Sequence, residues 1–187
     1  MTIVSEPVPY WPVPYWIETS GLPCAANGTA LRMAIVPCPA GGANLSAAIR
    51  SLHEQGIGTL VSLLSADEAR VLRLEAEGSI CRETGIDYLW LPVADHSIPE
   101  SMEEFRKVVE QLQRDLRAGK AVGAHCYAGI GRSCLLMACL LCLEGLTAEE
   151  AFARLSAARG LPVPDTWLQS QWVLHFAESL ENSSGPF

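Results

Sequence analysis

The chain lacks the features typical of membrane, secreted and nucleic-acid-binding proteins. None of its apolar runs is long enough to span a bilayer, and residues 1–6 lack the basic region and apolar block of a secretory signal. The formal net charge of −8 argues against nucleic acid and against stable association with an anionic membrane, because both favour a basic face. We therefore expect a cytoplasmic protein.

Metal-ligand patterns and paired cysteines are also missing. The seven cysteines include no Cys-x-x-Cys pair, and the four histidines show no metal-ligand spacing. The odd cysteine count and the expected reducing compartment argue against a disulfide framework. We expect neither a metal nor another cofactor, so the chemistry has to come from side chains.

The length of the chain suits a single domain that follows a short arm. With 187 residues it can bury a substantial core. The segment Pro7–Trp16 contains Pro-Val-Pro-Tyr-Trp twice, and alternating prolines favour extended backbone. We predict an extended arm over 1–20, a catalytic domain over 21–181 and a tail over 182–187. The aromatic residues of the arm either pack on the domain or contact a partner.

Apolar patterns, capping residues and glycines predict strands that alternate with helices. The predicted strands cover 31–37, 60–64, 87–91 and 121–125. The predicted helices cover 44–55, 65–76, 101–119, 132–144, 147–160 and 165–180. Such alternation predicts a single α/β domain with a mainly parallel central sheet flanked by helices.

The stretch 125–133 reads His-Cys-Tyr-Ala-Gly-Ile-Gly-Arg-Ser. A strand that leads through a glycine-containing loop into a helix N-terminus forms an anion site, because backbone N–H groups converge there and the helix dipole adds positive charge. At the base of the loop Cys126 is expected to be a thiolate, and at its far end Arg132 can bind two phosphate oxygens. The predicted chemistry is attack by sulfur on a phosphorus atom that the loop holds.

The other loop residues have predicted roles in the same reaction. The backbone amides that line the phosphate cradle are those of Tyr127, Ala128, Gly129, Ile130, Gly131 and Arg132. The two glycines allow φ values that most side chains resist. Ser133 can donate a hydrogen bond to Cys126, which eases the departure of the sulfur as a thiolate.

The pattern His125-Cys126-x-x-Gly129-x-Gly131-Arg132-Ser133 resembles the loop of the cysteine-dependent protein tyrosine phosphatases. More narrowly, it is similar to the dual-specificity branch and, within that branch, to the cyclin-dependent-kinase-associated phosphatases. This resemblance covers about 31–176. It implies a phosphatase-type strand-loop-helix active site that hydrolyses phosphotyrosine or phosphoserine/threonine esters of proteins through a phosphocysteine. It also implies a structural role for His125.

The leaving oxygen of a phosphoester needs a proton, and a general acid typically contributes ~10²–10⁴-fold to the rate. Asp95 follows a predicted strand, and the pattern Asp95-x-x-x-Pro resembles the general-acid loop of the family. Its rivals fit less well, since Asp67 belongs to a capped helix start and Asp87 precedes a strand. In larger phosphatases a downstream glutamine positions the attacking water. Gln169 and Gln171 are the candidates, and Gln169 matches the kinase-associated pattern better.

Several other functions fit the sequence less well than a protein phosphatase. A rhodanese-like sulfurtransferase lacks the Gly-x-Gly-Arg-Ser ending, and low-molecular-weight phosphatases and arsenate reductases place cysteine and acid in the reverse order. A phosphoinositide phosphatase would call for cations within the loop, whose variable positions Tyr127, Ala128 and Ile130 are uncharged. A non-catalytic phospho-binding adaptor usually loses the cysteine, the arginine or the acid, and all three are present. The prediction is a phosphoprotein phosphatase, with the choice between phosphotyrosine and phosphoserine/threonine left open.

Overall fold

The structure is a computed structural model that describes residues 11–183. Its strands are β1 (Tyr15–Trp16), β2 (Met33–Ile35), β3 (Ile57–Ser62), β4 (Asp87–Trp90) and β5 (Ala121–His125). Its helices are α1 (Leu45–Glu54), α2 (Ala66–Val71), α3 (Glu77–Thr84), α4 (Met102–Arg117), α5 (Arg132–Leu143), α6 (Ala148–Arg159) and α7 (Trp167–Ser183).

The strands form one sheet in the order β1-β2-β5-β3-β4, in which only β1 runs antiparallel to its neighbour. This confirms the predicted α/β fold with a mainly parallel sheet. Strand β5 lies at the centre, and all five of its residues are buried. A Cβ atom at Gly123 would come within 2.8 Å of Val36 Cγ2, so the strand permits close packing only because this residue is glycine. The strand that leads to Cys126 is therefore held from both sides.

Helices cover both faces of the sheet and enclose two clusters of buried apolar side chains. Helices α1 and α3 contact each other and bury the smaller cluster, which includes Ile49 and Cys81. Helices α4, α6 and α7 surround α5 and bury the larger cluster, which includes Phe105 and Phe176. Every residue of α5 from Arg132 to Cys142 is buried. An apolar helix without a polar face therefore anchors the C-terminal side of the phosphate-binding loop.

The helix expected over 65–76 is shorter than predicted. Helix α2 ends at Val71, and Arg73 adopts a left-handed conformation with φ of 59°. This turn buries Leu74 and leads into α3, which the sequence analysis did not predict. Gly78 weakens the helical signal of α3, but its lack of a Cβ leaves room for the Tyr88 ring, which would lie 2.8 Å from such an atom.

The described part of the arm is extended and lies along the edge of the sheet. Strand β1 pairs with β2, and the backbone oxygen of Pro12 accepts a hydrogen bond of 2.9 Å from Gln55. Pro12 and Pro14 are buried, whereas Val13 is exposed. Of the first copy of the repeat, only Trp11 is among the described residues. The end of the predicted tail, residues 184–187, also lies outside them.

The described residues contain neither a metal-binding cluster nor a membrane-spanning helix. Among residues 11–183, no three His, Cys, Asp or Glu side chains are grouped so that they could hold a metal ion. Within the same range, no helix combines the length and the hydropathy that crossing a bilayer requires.

Candidate active site

The loop between β5 and α5 lies at the carboxyl edge of the parallel strands, where ligands bind in open α/β sheets. Gly129 adopts φ of 67°, a conformation that side chains rarely allow. A Cβ atom at Gly131 would come within 2.8 Å of the Gln169 amide, so this position also requires glycine. The loop borders a cavity of about 250 Å³ lined by Asp95, His96, Cys126, Tyr127, Ala128, Gly131, Arg132, Asp165 and Gln169. Gly129 and Ile130 belong to the loop but not to this wall.

Cys126 lies at the base of the cavity, and only 3% of its surface is exposed. Its Sγ atom is 3.4 Å from Ser133 Oγ. Burial by itself raises the pKa of the thiol, but hydrogen bonds from Ser133 and the Gly129 backbone, together with the Arg132 charge, lower the pKa overall. By contrast, burial raises the pKa of Cys81 to about 12 and that of Cys142 to about 11. Cys126 is thus chemically distinct from other buried cysteines of the same domain.

Arg132 is buried and is held by a carboxylate that the sequence analysis did not assign to the site. Its Nη1 and Nη2 atoms donate to the two carboxylate oxygens of Glu68, each at 2.8 Å. Its Nη1 also donates to the Val93 carbonyl at 2.9 Å. This hydrogen bonding to Arg132 lowers the pKa of Glu68 to about 2, against the cost of partial burial. The pair fixes the plane of the guanidinium before any substrate binds.

The sequence Ser65-Ala-Asp-Glu68 has the pattern of a capping box, and Glu68 does have that role. Its carboxylate accepts from the Ser65 backbone at 2.9 Å, while Ser65 Oγ accepts from the Glu68 backbone at 3.2 Å. The same carboxylate therefore caps α2 and holds Arg132. The sequence signal that could have placed Glu68 at the site is its position shortly after β3, because β3 lies next to β5 in the sheet.

Asp95 lines the cavity from the loop that follows β4. Its Oδ1 atom is 3.0 Å from Arg132 Nη2, and its carboxylate is exposed. A phosphate that engages Nη2 therefore has to displace the Asp95 carboxylate from it. The two rival acids lie elsewhere, since Asp67 pairs with Arg70 on the surface and Asp87 contacts Lys120.

His96, which adjoins Asp95 in the chain, and Asp165 also line the cavity. His96 has φ of 54°, and its Nδ1 atom is 2.9 Å from Asp165 Oδ2. Its Nε2 atom is 3.5 Å from the Asp95 carboxylate. The Asp95 loop is thereby connected to the segment that precedes α7.

The two glutamine candidates occupy different environments. Gln169 is fully buried, lines the cavity and donates to the Ser97 carbonyl at 3.0 Å. Gln171 is exposed and is absent from the cavity wall. The geometry therefore favours Gln169.

His125 is fully buried behind the loop rather than in the cavity. Its Nε2 atom is 2.9 Å from Glu77 Oε1, and the Tyr88 hydroxyl donates to the other Glu77 oxygen at 3.1 Å. Burial lowers the pKa of His125, but the Glu77 carboxylate outweighs it and raises the pKa to about 10. A charged histidine buried against a carboxylate suits a structural role more than that of a catalytic base.

Replacing Glu68 by alanine is expected to destabilise the protein by ~3 kcal/mol, because it leaves the buried Arg132 without its main partner. Since the pKa of Glu68 is lowered from 4.5 to about 2, the ionised form stabilises the fold above pH 4.5. That contribution is lost as the pH falls towards 2. Denaturant unfolding of wild type and Glu68→Ala at several pH values measures both effects.

The matched control is Asp67→Ala, which removes the adjacent carboxylate of the same helical turn. Asp67 is exposed and pairs with the exposed Arg70, so little change in stability is expected. Equal losses of stability in the two variants, or a Glu68 effect that does not shrink in acid, would contradict the assignment.

The cavity thus brings together a buried cysteine with a lowered pKa, an arginine at a helix N-terminus and the Asp95 carboxylate. Residues 43–177 match the family described as "Dual specificity phosphatase, catalytic domain". The chain therefore belongs to the dual-specificity phosphatase family, as the loop predicted.

Within this family the chain is similar to the human protein named "Cyclin-dependent kinase inhibitor 3", with 27% identity over 139 residues. The match covers 73% of this chain and 65% of that protein, so the chain spans less than two thirds of this relative's length. It is also similar to "Phosphatidylglycerophosphate phosphatase PTPMT1" of Arabidopsis thaliana, with 29% identity over 59% of this chain and 32% of that protein.

Solved structures of the same fold include both types of relative. A kinase associated phosphatase matches with a TM-score of 0.78 at 21% identity, over 97% of this chain and all of that chain. A complex of PTPMT1 with PI(5)P matches with a TM-score of 0.68 at 18% identity, over 82% of this chain and 94% of that chain. These likenesses establish the shared fold.

Proposed function

We propose that the protein is a phosphoprotein phosphatase that works through a phosphocysteine on Cys126. The observation that carries this proposal is the meeting of Cys126, Arg132 and Asp95 on one cavity at the carboxyl edge of the sheet. The lowered pKa of Cys126 favours the thiolate, and the chain belongs to a family of phosphatase domains.

In the first half-reaction the Cys126 thiolate attacks phosphorus and forms a sulfur–phosphorus bond as the ester bond breaks. Asp95 in its protonated form, which the second half-reaction regenerates, donates a proton to the leaving oxygen. The loop amides and Arg132 bind the equatorial oxygens, whose charge spreads in the transition state. Contact between phosphate and Arg132 Nη2 releases Asp95 from that nitrogen, which frees the acid for the leaving group.

In the second half-reaction water attacks the phosphocysteine, and the sulfur–phosphorus bond breaks. Asp95 accepts a proton from the water, and Cys126 leaves as a thiolate that Ser133 stabilises by its hydrogen bond. Gln169 has the position to orient the water, since its buried amide lies on the cavity wall. Inorganic phosphate is then released.

The charge of the cavity wall favours a singly phosphorylated protein side chain over a phosphoinositide. Of the described residues on this wall, Arg132 and His96 are those that can carry positive charge, and Asp95 and Asp165 oppose them. The exposed Tyr127 occupies a rim position at which a second phosphate would call for a cation. The cyclin-dependent-kinase and kinase-associated names of relatives support a phosphorylated protein partner. A cytoplasmic location stays a prediction from the sequence.

A lipid phosphatase is the second candidate, because a phosphatidylglycerophosphate phosphatase is among the relatives. A panel of phosphothreonine and phosphotyrosine peptides and of phosphatidylglycerophosphate and phosphoinositide vesicles, assayed in chelator, separates the two. We expect kcat/KM to be at least about tenfold higher for the best peptide, because each missing cation–phosphate hydrogen bond costs ~1.5–3 kcal/mol.

A lysine substitution tests how the charge at the rim of the cavity affects the choice between phosphoinositides and peptides. Tyr127→Lys adds a cation to the rim and is expected to raise turnover of phosphoinositides relative to peptides. Leu174→Lys adds the same charge at an exposed position of α7 away from the cavity and should leave the ratio unchanged. Preferred turnover of phosphoinositides by the wild type would overturn the protein assignment.

A further inference from the structure

The second copy of the Pro-Val-Pro-Tyr-Trp repeat contributes two adjacent aromatic rings to β1, and each ring lies on an arginine. The Tyr15 ring centroid is 4.1 Å from the Arg159 guanidinium, and the Trp16 ring centroid is 4.4 Å from that of Arg32. Neighbouring side chains of a strand point to opposite faces of the sheet, so the Tyr15–Arg159 pair and the Trp16–Arg32 pair belong to different faces.

Arg159, the last residue of α6, contacts the phosphate-binding loop from behind. Its Nε atom donates to the Gly129 carbonyl at 2.7 Å, and its Nη2 atom donates to the Ala128 carbonyl at 3.3 Å. In a planar trans peptide the N–H and C=O groups point in opposite directions. The Ala128 carbonyl shares a peptide unit with the N–H of Gly129, and the Gly129 carbonyl shares one with the N–H of Ile130. By binding the two carbonyl oxygens, the Arg159 guanidinium therefore orients these two N–H groups in the opposite direction.

The orientation of these amides matters for the thiolate. The backbone N–H of Gly129 is among the groups that lower the pKa of Cys126. A peptide unit free to rotate would lose that alignment, and the loop would lose donors for an oxyanion. Arg159 therefore acts on the cradle through the peptide units of 128–130.

Strand β1 contacts Arg159 through Tyr15 and also pairs with β2, which lies next to the phosphate-binding loop. Tyr15 pairs with Ile35 across the sheet, and Ile35 Cγ2 lies 3.3 Å from where a Cβ of Gly129 would stand. On the same helix, Arg154 donates to the carbonyls of Glu18 and Ser20 at 2.9 and 3.0 Å. The segment 15–20 is thus attached to α6 at two places, one of which reaches the loop.

We propose that Tyr15 and Arg159 form a positioning pair for the phosphate-binding loop, so that the second copy of the repeat supports the active site rather than a partner. This inference rests on the proposed function only in treating the loop as an oxyanion cradle. A stacked aromatic ring restricts the guanidinium to the plane that matches both carbonyls. Trp16 and Arg32 form a comparable pair, in which the Arg32 guanidinium donates to the Gln55 carbonyl at 3.3 Å.

The test compares Tyr15→Ala, Tyr15→Phe and Trp16→Ala. Two measurements need no turnover: the affinity for inorganic phosphate by calorimetry, and the pH profile of Cys126 alkylation by iodoacetate. We expect Tyr15→Ala to weaken phosphate binding about fivefold, the size of one partly buried cation–π contact. Its alkylation profile should move to higher pH. Tyr15→Phe, which keeps the ring face, and Trp16→Ala should match the wild type in both.

Thermal unfolding of each variant separates a positioning role from general stability. If Tyr15→Ala does not fold, Arg159→Lys tests the same link, since it keeps the charge and loses the two-point contact; its phosphate affinity should fall at least as far. Equal effects of Tyr15→Ala and Trp16→Ala on phosphate affinity, or no effect of either, would overturn the proposal. If the wild type binds phosphate but has no phosphatase activity, the proposed function is refuted. The phosphate affinities of the variants would still test the positioning role of Tyr15 and Arg159.

Discussion

Replacing Cys126 by serine is expected to lower turnover of an aryl phosphate by at least about 10⁴-fold, because an alcohol is not ionised at neutral pH and cannot replace the thiolate. The hydrogen bonds that lower the pKa of Cys126 would then surround a neutral hydroxyl. Binding of phosphate to the loop should persist, since the amides and Arg132 are unchanged. Steady-state kinetics in chelator and calorimetry with phosphate measure the two quantities.

The matched control is Cys142→Ser, a buried cysteine of the same α5 helix whose pKa is raised by burial. This variant should keep near-normal turnover, because its thiol does not contact the cavity. Residual activity of Cys126→Ser comparable with that of Cys142→Ser would remove Cys126 from the reaction.

Replacing Asp95 by alanine is expected to lower kcat/KM, which reports formation of the phosphocysteine, by ~10²–10⁴-fold on phosphothreonine, whose leaving alkoxide needs a proton. On an aryl phosphate with a good leaving group the loss should be much smaller. The same change should strengthen phosphate binding, because it removes the carboxylate that lies 3.0 Å from Arg132 Nη2. A kinetic series over leaving groups, together with calorimetry, checks both results.

Asp67→Ala is the control for this experiment, since Asp67 was the rival acid in the sequence and lies on the surface. It should show the wild-type dependence on the leaving group. If Asp95→Ala loses the same factor on good and poor leaving groups, Asp95 is not the proton donor. Weaker phosphate binding in Asp95→Ala would contradict its competition for Arg132.

The parts of the site that could be predicted from the sequence are those encoded by neighbouring residues. The stretch 125–133 joins a strand, a loop and a helix start, so its chemistry follows from local geometry alone. The alternation of strands and helices likewise predicted the parallel sheet, and with it the edge at which the loop lies. The family resemblance added Asp95, whose distance from Cys126 along the chain gives no physical reason to pair them.

Contacts between distant segments could not be predicted in this way. Glu68 and Arg132 are 64 positions apart, and the capping box gave Glu68 a sufficient local explanation. The contact of Arg159 with Gly129 joins α6 to the loop across 30 positions, and nothing in either segment indicates it. Helix α3 was missed because it buries only Glu77 and Cys81 and contains Gly78, so its apolar periodicity is weak.

The central claim is that phosphate passes through a covalent bond to Cys126. Rapid quenching of Asp95→Ala during turnover of an aryl phosphate, followed by peptide mass spectrometry, tests it most directly, because hydrolysis of the intermediate also needs Asp95. The account predicts one added phosphoryl group on the peptide that contains Cys126, and none in the Asp95→Ala, Cys126→Ser double variant. A phosphoryl group on a different residue, or steady turnover with Cys126 unmodified throughout, would contradict it.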